Sequence, residues 1–176
     1  VLDVIKDAFP DLIVSETVPV IDEALCEIKD GKLLVLSTPV TAGSAYMKGK
    51  ILEHKDREII SLGMPNLIDF VEALDFDSEH LYHYFDEYLK KYLSGDIKAV
   101  SLGCTHYPFI RDILDSYLKD NGICAKIYEG SDITLKRLLK ALDEKNLRSS
   151  NGTCEVEIFN SLGEKMVENS KKLLGI

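Results

Sequence analysis

Apolar positions recur along the chain at two spacings, and the switch from one to the other marks out its elements. Val1, Val4, Ile5, Ala8 and Phe9 fall on one helical face, and Pro10 ends that helix. Residues 12–15 read as a short strand, with Val18-Pro19-Val20 as its exit, and residues 21–28 as a short helix before an Asp30-Gly31 turn. Residues 32–36 are almost unbroken apolar, the pattern of a strand buried on both faces. A helix is expected over 45–53 and a strand over 57–62, closed by Gly63-Met64-Pro65. A helix then runs through Phe70, Val71 and Glu72. Asp77-Ser78 caps a longer helix reaching Leu93, whose apolar stripe is Leu81, Tyr84, Phe85, Tyr88, Leu89 and Tyr92. Strands follow at 98–102 and 124–128, and helices after Pro108 and over 134–142. Residues 154–159 alternate polar and apolar side chains, as a half-exposed strand does. Ser161-x-x-Glu164 has the form of a capping box and opens a helix over 164–174.

Strands alternate with helices through most of this reading. That predicts an α/β fold, an open parallel sheet with helices on both faces. Ligands of such sheets bind outside the carboxyl ends of the strands, so the residues that follow each strand are the ones to inspect. There is no G-x-G-x-x-G and no Walker loop, so no nucleotide cofactor is expected.

Two strand ends carry candidate chemistry. The stretch 98–110 runs from a buried strand through Gly103 into Cys104, Thr105 and His106, and then into Pro108, a residue suited to the first turn of a helix. A cysteine placed there meets free backbone N–H groups and partial positive charge, which favour a thiolate. The competing reading is a buried packing cysteine, since free cysteines are often that. The order strand, glycine, three reactive side chains, proline favours the functional one. After the strand at 32–36 comes a loop rich in hydroxyls, Ser37-Thr38-Pro39-Val40-Thr41-Ala42-Gly43-Ser44. Capping of the following helix by Thr41 is the favoured reading there, against binding of a substrate carboxylate at the helix N-terminus.

Composition narrows the classes. The formal net charge of −9 argues against nucleic acid and anionic membranes as partners. The longest apolar runs are too short to span a bilayer. Cys26, Cys104, Cys124 and Cys154 are widely spaced with no C-x-x-C pair, which fits a reducing cytoplasm better than a disulfide framework. Cys26, inside a helix, reads as a packing residue. His80 and His83 are three apart without a third ligand nearby, so a helix surface is expected and no metal site.

Leu102-Gly103-Cys104-Thr105-His106-Tyr107-Pro108 resembles the second cysteine motif of the cofactor-independent glutamate racemases, within the aspartate/glutamate racemase family. The likeness continues in order along nearly the whole chain. Leu36 to Thr41 stands where that family has a strand ending in a Thr-rich loop. Met64-Pro65-Asn66-Leu67-Ile68-Asp69-Phe70-Val71-Glu72 is similar to its Cys-Pro-x-Leu-x-x-x-Val-Glu stretch, with Met64 in place of the cysteine. Glu129-Gly130-Ser131 is loosely similar to its Asp-Ser-Gly element. The family's first-lobe features, an Asp-Ser-Gly near the N-terminus, a Tyr-Gly loop and a Cys-Asn-Thr motif, are not found. The resemblance therefore implies a C-terminal fragment that starts inside a helix, just downstream of the first cysteine. It implies a complete flavodoxin-like second lobe over residues 21–130, carrying Cys104. Residues 1–20 and 131–176 are then remnants of a pseudo-symmetric first lobe.

The implied reaction is interconversion of L- and D-glutamate, supplying D-glutamate for peptidoglycan. One base removes the Cα proton from one face and one acid returns a proton to the other, with no cofactor to hold the carbanion. Cys104 is one member of the thiol pair, His106 its assistant in proton transfer and a substrate contact. Thr105 is a substrate-binding residue, as Thr38 and Thr41 are on the functional reading of their loop. The fragment alone is expected to be inactive, and to self-associate as a homo-oligomer or to take up a complementing N-terminal segment. Two other classes stay open. One is acyl transfer or hydrolysis with Cys104 as nucleophile and His106 as base, weakened because residues so close in sequence seldom meet in the required geometry and no third orienting group is visible. The other is a non-catalytic small-molecule-binding module on the same strand ends.

Overall fold

A computed structural model describes every residue except Val1, Ser150 and Cys154, with Leu2 and Asp3 described by their backbone alone. Four strands form one sheet: β1 (Lys32–Ser37), β2 (Ile59–Gly63), β3 (Ile97–Gly103) and β4 (Lys126–Glu129). All pairings are parallel, in the order β2-β1-β3-β4. The strands lie within a few residues of where the sequence pattern puts them. β1 and β3 are central and buried almost throughout. Their side chains alternate between two cores, as the period of two requires. Leu34, Leu36, Val100 and Leu102 point into the larger one. There they meet α5 (Leu67–Glu72), α6 (Ser78–Tyr88) and α7 (Arg111–Asp120) through Val71, Phe85 and Leu114. Leu33, Val35 and Ala99 point the other way, onto α2 (Asp22–Glu27) and α4 (Ala45–Glu53) through Ala24, Leu25 and Met47. Two covered faces make a three-layer α/β lobe, as the alternation predicts.

Helical elements complete the chain: α1 (Leu2–Ala8), the short α3 (Pro39–Ala42), α8 (Ser131–Glu144) and α9 (Glu164–Leu174). Several local expectations are corrected. Residues 12–15 form no strand, and neither do residues 155–159; Cys154, which belongs to the second of these, lies outside the described residues. A strand needs a neighbour to take its backbone hydrogen bonds, and neither segment pairs with the sheet. The helix after Pro108 begins as a 3-10 turn, Tyr107–Ile110, before α7. Ser161 does not cap α9; its N-cap is Gly163, with no side-chain bond. Cys26 is exposed on α2 rather than packed. No helix among the described residues is long and apolar enough to cross a membrane.

Candidate active site

The strand order reverses direction between β1 and β3, and these two strands end in register. Ser37 is the partner of Gly103, so Thr38 and Cys104 leave the sheet together at its carboxyl edge, at the point where open α/β sheets hold ligands. Gly103 is required by this closeness. A Cβ on it would lie 2.8 Å from Pro19 Cγ and 3.0 Å from Ser37 Cβ.

On the β1 side the hydroxyls mostly serve the backbone. Thr38 caps α3, its Oγ1 accepting from the Thr41 N–H at 3.2 Å and donating to Thr41 Oγ1 at 3.0 Å. Ser44 caps α4, its Oγ accepting from the Met47 N–H at 3.2 Å. Capping thus falls to Thr38 and Ser44, one for each helix, and not to Thr41 as expected. The intervening α3 turn takes Thr41 away from the first turn of α4.

On the β3 side Cys104, Thr105 and His106 form a tight turn closed by the Tyr107 N–H donating to the Cys104 carbonyl at 3.2 Å. Tyr107 is fully buried and anchors the turn to the β2–α5 loop, its hydroxyl donating to the Met64 carbonyl at 3.4 Å. This conformation folds the imidazole back on the sulfur: His106 Nδ1 lies 3.9 Å from Cys104 Sγ and 3.5 Å from Thr105 Oγ1. Two residues that are almost neighbours in sequence therefore do meet. The far side of the ring meets a carboxylate, with Glu72 Oε1 3.5 Å from His106 Nε2. Glu72 is the last residue of α5 and was assigned no role from the sequence. Its only signal there was its place at the end of the Met64-to-Glu72 stretch. The three side chains form a line, carboxylate, imidazole, thiol. A carboxylate on Nε2 favours the tautomer with its proton on that nitrogen, leaving Nδ1 free to accept from the thiol.

Cys104 is half-buried, and burial pushes its thiol above the ordinary range, while the backbone N–H groups of His106 and Tyr107 pull it down less strongly. The donors expected from the helix end are present, but desolvation of the charged form outweighs them. The sulfur opens into a cavity of about 300 Å³ with Leu102, Leu135 and Leu138 on its walls and the hydroxyl-bearing Thr17, Thr105 and Thr134 among them. His80 is exposed and pairs with Asp75 at 3.0 Å, and among the described residues it belongs to no metal-like grouping. Among the described residues the one trio of potential metal ligands is Asp22, Glu53 and His54, and Lys50 Nζ already bridges both carboxylates at 2.8 Å.

The comparisons with known proteins agree with this fold. No family profile matches the chain. The glutamate racemase of Clostridium novyi is 34% identical over 175 residues, covering 98% of this chain and 67% of that protein. That of Clostridium perfringens is 32% identical over 177 residues, covering 98% and 66%. The fold is similar to the crystal structure of glutamate racemase from Francisella tularensis in complex with D-glutamate, with TM-score 0.68, 23% identity, and coverage of 83% of this chain and 54% of that one. It is also similar to the Escherichia coli enzyme in complex with L-glutamate, with TM-score 0.67, 18% identity, and coverage of 90% and 59%. The chain spans about two thirds of the length of the curated relatives it matches. With this identity along almost its whole length, the chain belongs to the glutamate racemase family.

Proposed function

We propose that this chain carries one thiol of a cytoplasmic, cofactor-independent glutamate racemase that supplies D-glutamate for peptidoglycan. The observation that carries the reading is the line Glu72–His106–Cys104 at the carboxyl edge of the sheet, with 3.5 Å and 3.9 Å between its members. A buried thiol with a raised pKa is seldom ionised by itself, although its thiolate is a strong base once formed. His106 Nδ1 takes its proton, and Glu72 steadies the imidazolium that forms. The thiolate then removes the Cα proton of glutamate from the face it meets, becoming a thiol again. A second thiol, from a first lobe, delivers a proton to the opposite face. In the reverse direction Cys104 is the donor. To Thr105, on the wall of the Cys104 cavity, and Thr38, at the neighbouring strand end, we assign the substrate's carboxylates, and Thr41, bonded to Thr38, supports that loop. Similar proteins of known structure hold D-glutamate and L-glutamate.

The same reading divides the chain into a second lobe over 21–130 and first-lobe remnants over 1–20 and 131–176. Burial supports that division. Among the described residues from 131 onward only Asn169 is buried, and Leu135, Phe159 and Leu162 are largely exposed. Inversion needs groups on both faces of Cα, and removing one of two coupled catalytic groups commonly costs several powers of ten. The chain alone therefore exchanges the Cα proton on one face without inverting it. The test is incubation of each glutamate enantiomer with the chain in deuterated water, reading Cα deuterium by mass spectrometry and inversion by circular dichroism. Weak exchange lost in Cys104→Ala is expected. Inversion at a rate typical of enzymes would sink the two-lobe, two-thiol account.

One observation favours a second reading, acyl transfer: Glu72 supplies the orienting group that a Cys–His pair requires. A covalent acyl adduct on Cys104 with an activated ester, without Cα exchange of glutamate, would decide for it.

A further inference from the structure

Asn169 is the one buried side chain of the last helix, and it is polar. Its Nδ2 donates to the backbone carbonyl of Glu72 at 2.8 Å. That carbonyl sits at the C-terminal end of α5, where a helix leaves its last carbonyls without partners of its own. Leu173, one turn further along α9, packs against the larger core. The same helix also walls the relay on its open side: Ser170, Leu173 and Leu174 line a cleft with Thr105, His106 and Phe109.

We propose that Asn169 is a positioning residue for the Cys104 relay, holding the end of α5 so that the Glu72 carboxylate meets His106 Nε2. The inference rests on the relay described under Proposed function, and adds to it the element that fixes its acid. Glu72 is the final residue of a six-residue helix, and its own carboxylate is partly exposed. A helix end of that kind is prone to fray, and the Glu72 carbonyl stands outside the backbone bonds that close it. The bond from Asn169 ties that one carbonyl, across 97 residues of sequence. Fraying by one residue swings the Glu72 side chain out of reach of the imidazole. His106 then loses the partner that keeps its proton on Nε2, and Nδ1 is no longer held as an acceptor for the thiol. Backbone bonds close the rest of that end, with the Ala73 N–H donating to the Asp69 carbonyl at 2.9 Å, the Leu74 N–H to Val71 at 3.0 Å and the Asp75 N–H to Phe70 at 2.8 Å, and they leave the Glu72 carbonyl to Asn169. Other contacts fix the start of α5. The Met64 N–H donates to the Ser37 carbonyl at 2.8 Å, and the Tyr84 hydroxyl donates to the Pro65 carbonyl at 2.7 Å.

The test uses the full 176-residue chain and does not depend on racemisation. Long-range proton–nitrogen spectra of the His106 ring report its tautomer, compared among wild type, Glu72→Gln, Asn169→Leu and Asn169→Ser. Leucine keeps the volume of Asn169 without its donor, and serine keeps polarity but is too short to reach the carbonyl. In the wild type the two ring nitrogens should be well separated, with the proton on Nε2. In Glu72→Gln and in both Asn169 variants they should move toward a common average, and Cys104 should alkylate at a rate changed several-fold in the same direction in all three. Asn169→Ser carries the test if Asn169→Leu does not fold, as judged by the dispersion of its amide spectrum. A response to Glu72→Gln but to neither Asn169 variant overturns the positioning role and leaves the relay standing. No response to Glu72→Gln overturns both.

Discussion

Ser37 and Gly103 are partners across the parallel strands β1 and β3, and that register brings the two candidate loops together at the carboxyl edge of the sheet. It sets Thr38 beside Cys104 although 66 residues separate them in sequence. It also leaves no room for a side chain at position 103.

Gly103→Ala should therefore destabilise the lobe. The new methyl meets Pro19, Ser37 and the Leu36 carbonyl, at 2.8, 3.0 and 3.2 Å. Overpacking of this kind costs about 1–3 kcal/mol. Urea unfolding should show a lower midpoint at an unchanged slope. Gly95→Ala is the control, since nothing lies within 4 Å of a Cβ there, and it should be neutral or slightly stabilising.

Thiol labelling should follow burial rather than helix-end position. Cys26 and Cys124 are exposed, whereas Cys104 is half-buried with its thiol pushed up by desolvation. At neutral pH mass-spectrometric mapping should find Cys26 and Cys124 alkylated before Cys104, the opposite of what its helix-end position alone would give. The sign of the linked stability is fixed as well. A folded-state pKa above the unfolded one gives stability that is full below the free thiol's pKa of about 8.5 and lost as pH rises through the folded value. Cys104→Ala should flatten that alkaline loss, as measured by denaturation between neutral and high pH.

Two caps at the β1 end separate structure from binding. Ser44→Ala removes the cap of α4 and should cost about 1 kcal/mol, with no effect on glutamate binding. Thr38→Ala should lose its cap and also weaken binding followed by nuclear magnetic resonance titration, while Thr38→Ser keeps both. Equal binding by Thr38→Ala and wild type would return Thr38 to a purely structural role.

Apolar surface concentrates outside residues 21–130. Val4, Phe9, Leu12, Leu135, Phe159 and Leu162 are each more than half exposed. Exposed apolar area on this scale favours association. Sedimentation should show a weight-average mass that climbs with concentration. Replacement of Leu135 and Phe159 by Ser should lower that rise while leaving the fold, monitored by circular dichroism, unchanged.

The sequence by itself determined the central sheet. Residues 32–36 and 98–102 lie on strands buried almost throughout on both faces, so their side chains are mostly apolar or small, and glycine with proline marks where the second run stops. That punctuation is local, written in adjacent residues, and it placed Cys104, Thr105 and His106 at a strand's end. The tertiary structure alone decided the rest, because each remaining feature depends on partners distant in sequence. The apolar run at 12–15 and the alternation over 155–159 become strands only beside an edge that accepts them, and none does. The balance at the Cys104 thiol rests on how much apolar surface closes over it, which outweighs the N–H groups the local motif supplies. Glu72 joins the site across 34 residues because α5 packs beside the turn after β3, and Asn169 reaches it across 97 more. A side chain's chemistry belongs to its own residue, but its neighbours, and so its proton, are set by packing.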